Sequence, residues 1–164
     1  NKLFMPPWSN GAYAFLKERN ALDGEQADRR IYISRNRSSR RRIVNEEELL
    51  PLLRRFGFET YYLETMSVRE RAALFARASM VVAPHGAGLV NLVWSRKGTA
   101  VLELYPQFYH DPSFRILAAC CALDYRYLIC KSPGAADVPP ACEDILVDRL
   151  DLVEAFLQEQ TGSR

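Results

Sequence analysis

The sequence predicts an α/β fold in which a parallel sheet carries helices on both faces. Short apolar runs rich in β-branched residues, such as residues 31–34 and 80–83, indicate buried strands. Between such runs lie longer segments in which apolar residues recur at helical spacing, and this alternation is typical of parallel sheets. The chain has 164 residues, of which 48% are hydrophobic, and this is enough for one domain with a core of its own.

The beginning of the chain is predicted to be separate from this sheet. Residues 1–30 are expected to form an N-terminal helix and a linker, and residues 31–164 the α/β domain. Ser9 or Asn10 can cap a helix that runs to about Leu22, because the apolar residues between them have helical spacing.

Capping and stop residues mark the next elements. Asn45 is a good N-cap for a helix at residues 46–56, which has acidic residues in its first turn, and Gly57 is a natural stop signal. A second strand is predicted at residues 59–63, and Ser67 is predicted to cap the helix that follows it.

The remaining elements follow the same alternation. An apolar run ends at Pro84, passes through two glycines and resumes as a helix-compatible segment, which indicates a strand, a tight turn and a helix. The further strands are predicted at residues 80–83, 100–104, 125–130 and 144–147, and the further helices at residues 89–94, 113–123 and 149–160.

The glycine turn, His85-Gly86-Ala87-Gly88, is the candidate anion site. Glycines allow positive φ and let a ligand approach the bare backbone, while the first N–H groups of a helix and its dipole favour an anion. A ligand that carries phosphate is therefore the first hypothesis. The competing interpretation is that both glycines only make a tight turn.

Polar side chains follow the predicted strands at the points where they end. These residues are Arg35, Glu64, His85, and Glu103 or Tyr105. Ligands of open parallel sheets bind beyond the carboxyl ends of the strands, where the helices begin. We therefore expect these residues to gather on one rim of the sheet, although they are scattered in sequence.

Arg35 begins a basic loop that also contains arginines at positions 40, 41 and 42. Arginine offers a flat fork of donors that stays charged near neutral pH, and this suits a diphosphate. A loop that leaves the first strand at Arg35 can place a guanidinium group over the glycine turn. For most of the other arginines, a solvated surface loop is the competing interpretation.

His85 is the candidate catalytic residue. Its unperturbed pKa lies near physiological pH, so it can act as a general acid or base, or donate to a phosphate oxygen. A catalytic histidine needs an orienting acid, and the sequence does not choose between Glu64 and Glu103. The alternative is a histidine that bonds to the backbone and holds the turn.

Several absences narrow the chemistry. The glycine turn lacks the ending of a P-loop and the longer pattern of a dinucleotide site, and the sequence has neither an Asp-x-Asp pair nor a cluster at metal-ligand spacing. We therefore expect diphosphate binding without a metal or another cofactor. The four cysteines fit free thiols in a reducing compartment, no apolar run spans a bilayer, and the local charge does not indicate nucleic-acid binding.

A series of short motifs follows in fixed order along the chain. They are Ile33-Ser34-Arg35, Arg41 with Asn45-Glu46, Gly57-Phe58, Glu64, Ser67, Leu74-Phe75, Ala78, and Pro84-His85-Gly86-Ala87-Gly88-Leu89 with Asn91. Together they resemble the family 61 glycosyltransferases, a group that includes bacterial capsular-polysaccharide transferases and eukaryotic N-acetylglucosaminyl- and xylosyltransferases. The similarity covers about residues 31–106.

The resemblance implies a GT-B architecture of two Rossmann-like lobes, in which the C-terminal lobe holds the nucleotide-sugar and the sugar is transferred with inversion and without an obligatory metal. In this chain Arg35 and Arg41 then correspond to diphosphate contacts, and Glu64 and Ser67 to the nucleoside side. The loop beneath the diphosphate and the sugar corresponds to His85, Gly86, Ala87, Gly88 and Leu89.

The length of the chain suffices for one such lobe. We therefore expect a donor-binding half whose glycan or lipid-linked acceptor is held by an N-terminal lobe upstream of Asn1, and the catalytic base can lie in that lobe as well. Alone, this half is expected to bind nucleotide weakly and to transfer little or no sugar. The resemblance favours polysaccharide biosynthesis. Free cysteines and the lack of a visible export signal favour a cytoplasmic bacterial enzyme, and membrane association through a lipid-linked acceptor stays open. The alternative function is a non-catalytic α/β module that recognises a phosphorylated or acidic partner.

Overall fold

The computed structural model describes residues 27–134 and 138–162, together with the single residue 11. The predicted N-terminal helix and its lead-in fall outside those two ranges. Within the described part of the chain, no helix is long and apolar enough to cross a membrane.

Five parallel strands form the single sheet of the described residues, and they confirm the predicted α/β class. In space they follow the order β2-β1-β3-β4-β5, so β3 is the central strand, and every one of its residues is buried. In chain order they are β1 (Arg29–Ile33), β2 (Phe58–Tyr61), β3 (Ala78–Pro84), β4 (Ala100–Tyr105) and β5 (Asp124–Ile129).

Helices cover both faces of the sheet, as predicted. Helices α1 (Glu46–Arg55) and α4 (Leu150–Gly162) pack on one face, where their leucine, valine and phenylalanine side chains meet those of β1, β3 and β4. Helices α2 (Val68–Ala76) and α3 (Ser113–Cys120) pack on the other face together with a 3₁₀ helix at Ala87–Trp94. The core is therefore double, with the sheet as its middle layer.

The strand order reverses between β1 and β3. From β1 the chain adds β2 on one side, then crosses to add β3, β4 and β5 on the other side. A reversal of this kind opens a crevice beyond the carboxyl ends of the two strands, because their following loops turn away from each other. Arg35 follows β1 and Gly86 follows β3, so both residues border this crevice.

The strand predicted at residues 144–147 is wrong. This segment makes only isolated bridges, Ile43 with Ile145 and Lys131 with Leu146. Asn45 is a second correction, since it precedes α1 but its side chain makes no capping bond. Instead Asn45 accepts from the N–H of Val147 at 3.0 Å and donates to its carbonyl at 3.1 Å, which fastens the two segments together.

Smaller differences lie at the ends of elements. Strand β2 ends at Tyr61, and residues Leu63–Thr65 form a 3₁₀ turn in place of the predicted end of the strand. Helix α3 ends at Cys120, three residues before its predicted end, because Ala122 adopts a left-handed conformation with φ of 53°. Ser67 caps α2 as predicted, in a reciprocal capping box with Glu70.

We expect replacement of Asn45 by Ala to lower the free energy of unfolding by about 2 kcal/mol, because the N–H and C=O of Val147 lose their partners in a buried setting. Urea unfolding measures this difference. The control is Gln158→Ala on the exposed side of α4, which should stay within about 0.5 kcal/mol of the original chain. Equal unfolding midpoints for Asn45→Ala and the control would contradict the stabilising role of this link.

Candidate functional site

The side chain of Arg35 lies directly against the backbone of Gly86. A Cβ atom at residue 86 would stand 3.0 Å from Cζ of Arg35 and closer still to Nη1, a separation that real Cβ atoms do not tolerate. Any residue other than glycine would therefore push the guanidinium away. The crossover after β1 and the turn after β3 thus meet at one point.

Neither glycine of the turn has the left-handed conformation that the sequence suggested. Gly86 is extended, with φ of 162°. Among the described residues, the glycines with a left-handed φ are Gly57, Gly98 and Gly134, and Gly88 is not one of them. The need for glycine is steric instead. A Cβ at Gly88 would lie 3.0 Å from Cδ1 of Leu63, so the glycine turn also packs tightly against the 3₁₀ turn that follows β2.

A cavity of about 360 Å³ opens beside this contact, and we call it the arginine cavity. Of the residues that the sequence singled out, five line it, namely Arg35, Glu64, Ala87, Gly88 and Asn91. Two polar residues that sequence reasoning missed also line it, Ser38 and Arg71. Neither stands at a strand end or in a motif, and only the fold brings them here.

The arginine cavity is electropositive on one wall. Burial, followed by repulsion from Arg41, lowers the pKa of Arg35, and the acid Glu64 only partly offsets this. Nη2 of Arg35 donates to Ser38 Oγ at 3.0 Å, while Nη1 faces Gly86 without a hydrogen bond inside the described part of the chain. An anion in the cavity would relieve this poorly compensated charge.

The segment after the turn is a 3₁₀ helix, where the sequence predicted a helix without specifying its type. Leu89 N–H donates to the carbonyl of Gly86 at 2.9 Å, so the helix begins with the N–H groups of Ala87 and Gly88, which have no partner within it. Asn91 donates to the carbonyl of Gly88 at 2.9 Å and so holds the turn in shape. Leu89 itself is core, only 1% exposed.

The buried carboxylate of Glu46 fixes the chain segment on either side of Arg35. Glu46 is 6% exposed and accepts from Tyr32 at 2.8 Å, from Ser34 at 2.7 Å and from the side-chain amide of Asn36. Burial first, and then the charge of Glu46, raise the pKa of Tyr32 well above its ordinary value. The sequence predicted that Glu46 begins a helix and includes Glu46 in one of the motifs, but it did not predict a buried acceptor there. The missed signal was a tyrosine in a buried strand, whose hydroxyl needs a partner.

The structure pairs His85 with Glu103 and not with Glu64. Nδ1 of His85 lies 2.5 Å from Oε1 of Glu103, and the hydroxyl of Tyr125 donates to the other carboxylate oxygen. His85 is 3% exposed, and Glu103 is fully buried. The imidazole also stacks on the ring of Tyr105, with 4.9 Å between ring centres and 18° between planes. A carboxylate at Nδ1 fixes both the ring orientation and the tautomer of a histidine.

Burial and the neighbouring acid also affect both tyrosines of this cluster. Burial, more than any other cause, raises the pKa of Tyr105 to about 12, and the charge of Glu103 contributes to this rise. Burial, and then the charge of Glu103, likewise raise the pKa of Tyr125. Both hydroxyls therefore stay protonated through the physiological range and act as hydrogen-bond donors.

The remaining predicted residues lie outside the arginine cavity. Ser67 exchanges hydrogen bonds with Glu70 at the start of α2. Arg41 donates to the carbonyl of Ala141 at 2.8 Å, and its guanidinium lies 5.9 Å from the ring centre of Tyr109. His85 faces the end of β4, on the far side of β3 from Arg35. The rim therefore carries two clusters, with β3 between them.

No group of three or more His, Cys, Asp or Glu residues able to hold a metal ion occurs in the described ranges. Metal-free binding stays a prediction, since it concerns the ligand and not these residues alone.

The part of the chain that contains Arg35 and the glycine turn is similar to known proteins. A family model described as Glycosyltransferase 61 matches residues 2–102. Protein O-linked-mannose beta-1,4-N-acetylglucosaminyltransferase 2 of Bos taurus is 34% identical over 99 residues, which are 57% of this chain and 17% of that protein. The protein of the same name from Takifugu rubripes is 34% identical over 116 residues, or 66% of this chain and 19% of that protein.

A plant protein gives a shorter match. Beta-1,2-xylosyltransferase RCN11 of Oryza sativa subsp. japonica is 33% identical over 70 residues, which are 43% of this chain and 13% of that protein. The chain thus spans less than a fifth of the length of these relatives.

We expect Glu46→Gln to lower the free energy of unfolding by about 1–3 kcal/mol, because the glutamine amide turns a donor toward groups that themselves donate. The matched control is Glu47→Gln, one position along and exposed in the same helical turn. Denaturant unfolding compares the two. A loss no larger than that of the control would show that Glu46 does not organise this segment.

Stability at high pH provides a test of the buried tyrosine cluster. The folded chain holds the proton of Tyr105 up to about pH 12, whereas the unfolded chain releases it near pH 10, so stability falls as pH rises through this interval. Tyr105→Phe removes that contribution. Between pH 7 and pH 12 the free energy of unfolding of Tyr105→Phe should therefore fall by about 1–3 kcal/mol less than that of the original chain. Parallel curves for both proteins would contradict the raised pKa.

Proposed function

The chain belongs to glycosyltransferase family 61, and on this premise we propose that the arginine cavity holds the diphosphate of a nucleotide-sugar in an inverting, metal-independent glycosyl transfer. The observation that carries the proposal is the contact of Arg35 with Gly86, which only a glycine permits. It holds the guanidinium of Arg35 beside the glycine turn, and Arg35, Ala87 and Gly88 line the same cavity.

Two kinds of donor, guanidinium groups and backbone N–H groups, are available to the proposed diphosphate. Nη1 of Arg35 supplies a charged donor, Arg71 is a second arginine in the lining, and the N–H groups of Ala87 and Gly88 begin the 3₁₀ helix. Hydrogen bonds from charged donors to phosphate are about twice as strong as neutral ones. Arginine and backbone N–H groups would thus neutralise the leaving diphosphate as its charge develops.

Glu64 fits the nucleoside end of the donor. Its carboxylate is exposed at the rim of the arginine cavity, where it can accept hydrogen bonds from ribose hydroxyls. Ser67, which the family resemblance assigned to the same end, uses its hydroxyl to cap α2. We therefore propose Glu64 as the nucleoside contact of this pair.

His85 is proposed as the general base. When Nδ1–H donates to Glu103, the lone pair of a neutral imidazole is on Nε2. Nε2 can then take the proton of an acceptor hydroxyl while that oxygen attacks the anomeric carbon from the face opposite the diphosphate. Glu103 stabilises the imidazolium that forms, as the acid of a catalytic triad does.

The relatives indicate the class of substrate. Their names specify transfer of N-acetylglucosamine to O-linked mannose and transfer of xylose. We propose a nucleotide-activated sugar as donor and a glycan as acceptor for this chain, with polysaccharide biosynthesis as the setting.

Calorimetric titration with uridine, guanosine and cytidine diphosphates tests the donor site. Arg35→Ala should weaken binding of the preferred diphosphate about 10- to 100-fold, because one charged hydrogen bond contributes about 1.5–3 kcal/mol. The matched control is Arg54→Ala, an exposed arginine in the last turn of α1, which should leave the affinity unchanged.

Two outcomes would contradict the donor site. An equal loss in both variants would show that Arg35 contributes only net charge. Inorganic pyrophosphate that binds as tightly as every nucleotide would favour the alternative, a module that recognises phosphorylated or acidic partners.

A further inference from the structure

We propose that a second cavity on the same rim binds one pyranose ring of the acceptor glycan. This inference rests on the proposed transferase function and adds a site to it. The cavity has a volume of about 190 Å³ and lies beyond the ends of β4 and β5, and we call it the aromatic cleft. Its walls are Tyr105, His110, Pro112, Arg115, Tyr127 and Ile129.

The lining of the aromatic cleft suits an amphipathic ring. A pyranose presents C–H groups on its faces and hydroxyls around its edge. Tyr105 and Tyr127 meet at nearly a right angle, 86° between planes and 5.8 Å between centres, and form an apolar corner with Ile129. The electron-rich faces of such rings attract C–H groups of positive character. Most binding sites for small molecules combine apolar walls of this type with a few polar groups.

Donors and acceptors for hydroxyls are present on the remaining wall. The side chain of Arg115 is exposed and makes no hydrogen bond or ion pair with another of the described residues, so its guanidinium is available to a ligand. His110 adds an imidazole, with its ring 5.7 Å from that of Tyr105. These groups offer hydrogen-bond partners to the hydroxyls of a sugar, which a purely apolar ligand lacks.

Exposure and size support a ligand site. Tyr127 is 51% exposed and Ile129 is 47% exposed, although both belong to a strand of the sheet. The volume corresponds to about six water molecules at roughly 30 Å³ each. That space accommodates one sugar ring.

The aromatic cleft lies next to His85, the proposed general base. The ring of Tyr105 forms a wall of the cleft and also stacks on His85. The strand order places the arginine cavity at β1 and β3 and the cleft at β4 and β5, so His85 stands between them. Neighbouring strands are about 4.8 Å apart, and a sugar in the cleft would therefore sit about one ring away from the imidazole.

Tyr105 is held firmly enough to form a defined wall. Its hydroxyl donates to the carbonyl of Asp111 at 2.7 Å, which ties the end of β4 to the loop before α3. Asp111 in turn accepts from the N–H of Ser113 at 2.8 Å. The loop that carries His110 and Pro112 is thereby fixed on both sides.

The test is NMR titration of the ¹⁵N-labelled 164-residue chain with methyl glycosides of the common pyranoses, and separately with uridine. We expect shifts centred on residues 105–115 and 127–129 with the preferred pyranoside. Tyr127→Ala should weaken this binding about ten-fold, while Tyr127→Phe, which keeps the ring, should weaken it less. The control is Leu152→Ala, an exposed apolar residue on α4, which should change nothing.

The outcomes separate this inference from the donor site. Absence of shifts with every pyranoside, or shifts centred elsewhere, overturns the aromatic cleft as a sugar site. Shifts there with uridine in place of the pyranosides overturn it as well, because the cleft would then hold a base. Pyranoside shifts in the cleft of a chain that binds no nucleoside diphosphate would support the cleft and refute the donor site.

Discussion

The contact of the Arg35 guanidinium with the backbone of Gly86 is the constraint on which the rest of the site depends. It exists because residue 86 has no side chain and because Arg35 enters the crevice from the neighbouring strand. A flexible arginine would normally turn into water. Here the carboxylate of Glu46 accepts hydrogen bonds from Tyr32, Ser34 and Asn36. Because these residues lie on both sides of Arg35 in the chain, their hydrogen bonds fix the backbone that carries the guanidinium.

The two clusters on the rim carry opposite charges and keep apart. Arg41 and Arg40 repel Arg35, which lies on one side of β3, and Glu103 is buried on the other side. Glu103 tolerates burial because His85 and Tyr125 both contact its carboxylate. The separation lets one wall attract an anion while the other provides a polarised imidazole, without direct neutralisation of one by the other.

Sequence reasoning predicted the features that depend on pattern and missed those that depend on side-chain direction. Alternating apolar runs gave the parallel sheet and its helices, and the rule that ligands bind beyond strand ends brought Arg35 and Gly86 together. The choice of Glu103 over Glu64 could not be predicted, because it depends on which way β4 presents position 103. Asn45 looked like a helix cap, but its partner, Val147, is 102 positions away, and no local pattern encodes that distance.

The basic loop is fastened to a part of the chain that is synthesised much later. Arg41 contacts Ala141, Arg42 bonds to Asp144, and Ile43 pairs with Ile145. Closing a loop of about 100 residues is slow, because the ends must meet before any contact rewards them. During translation the strands around Arg35 can therefore assemble first, and the loop acquires its final shape only after residues 141–147 have left the ribosome.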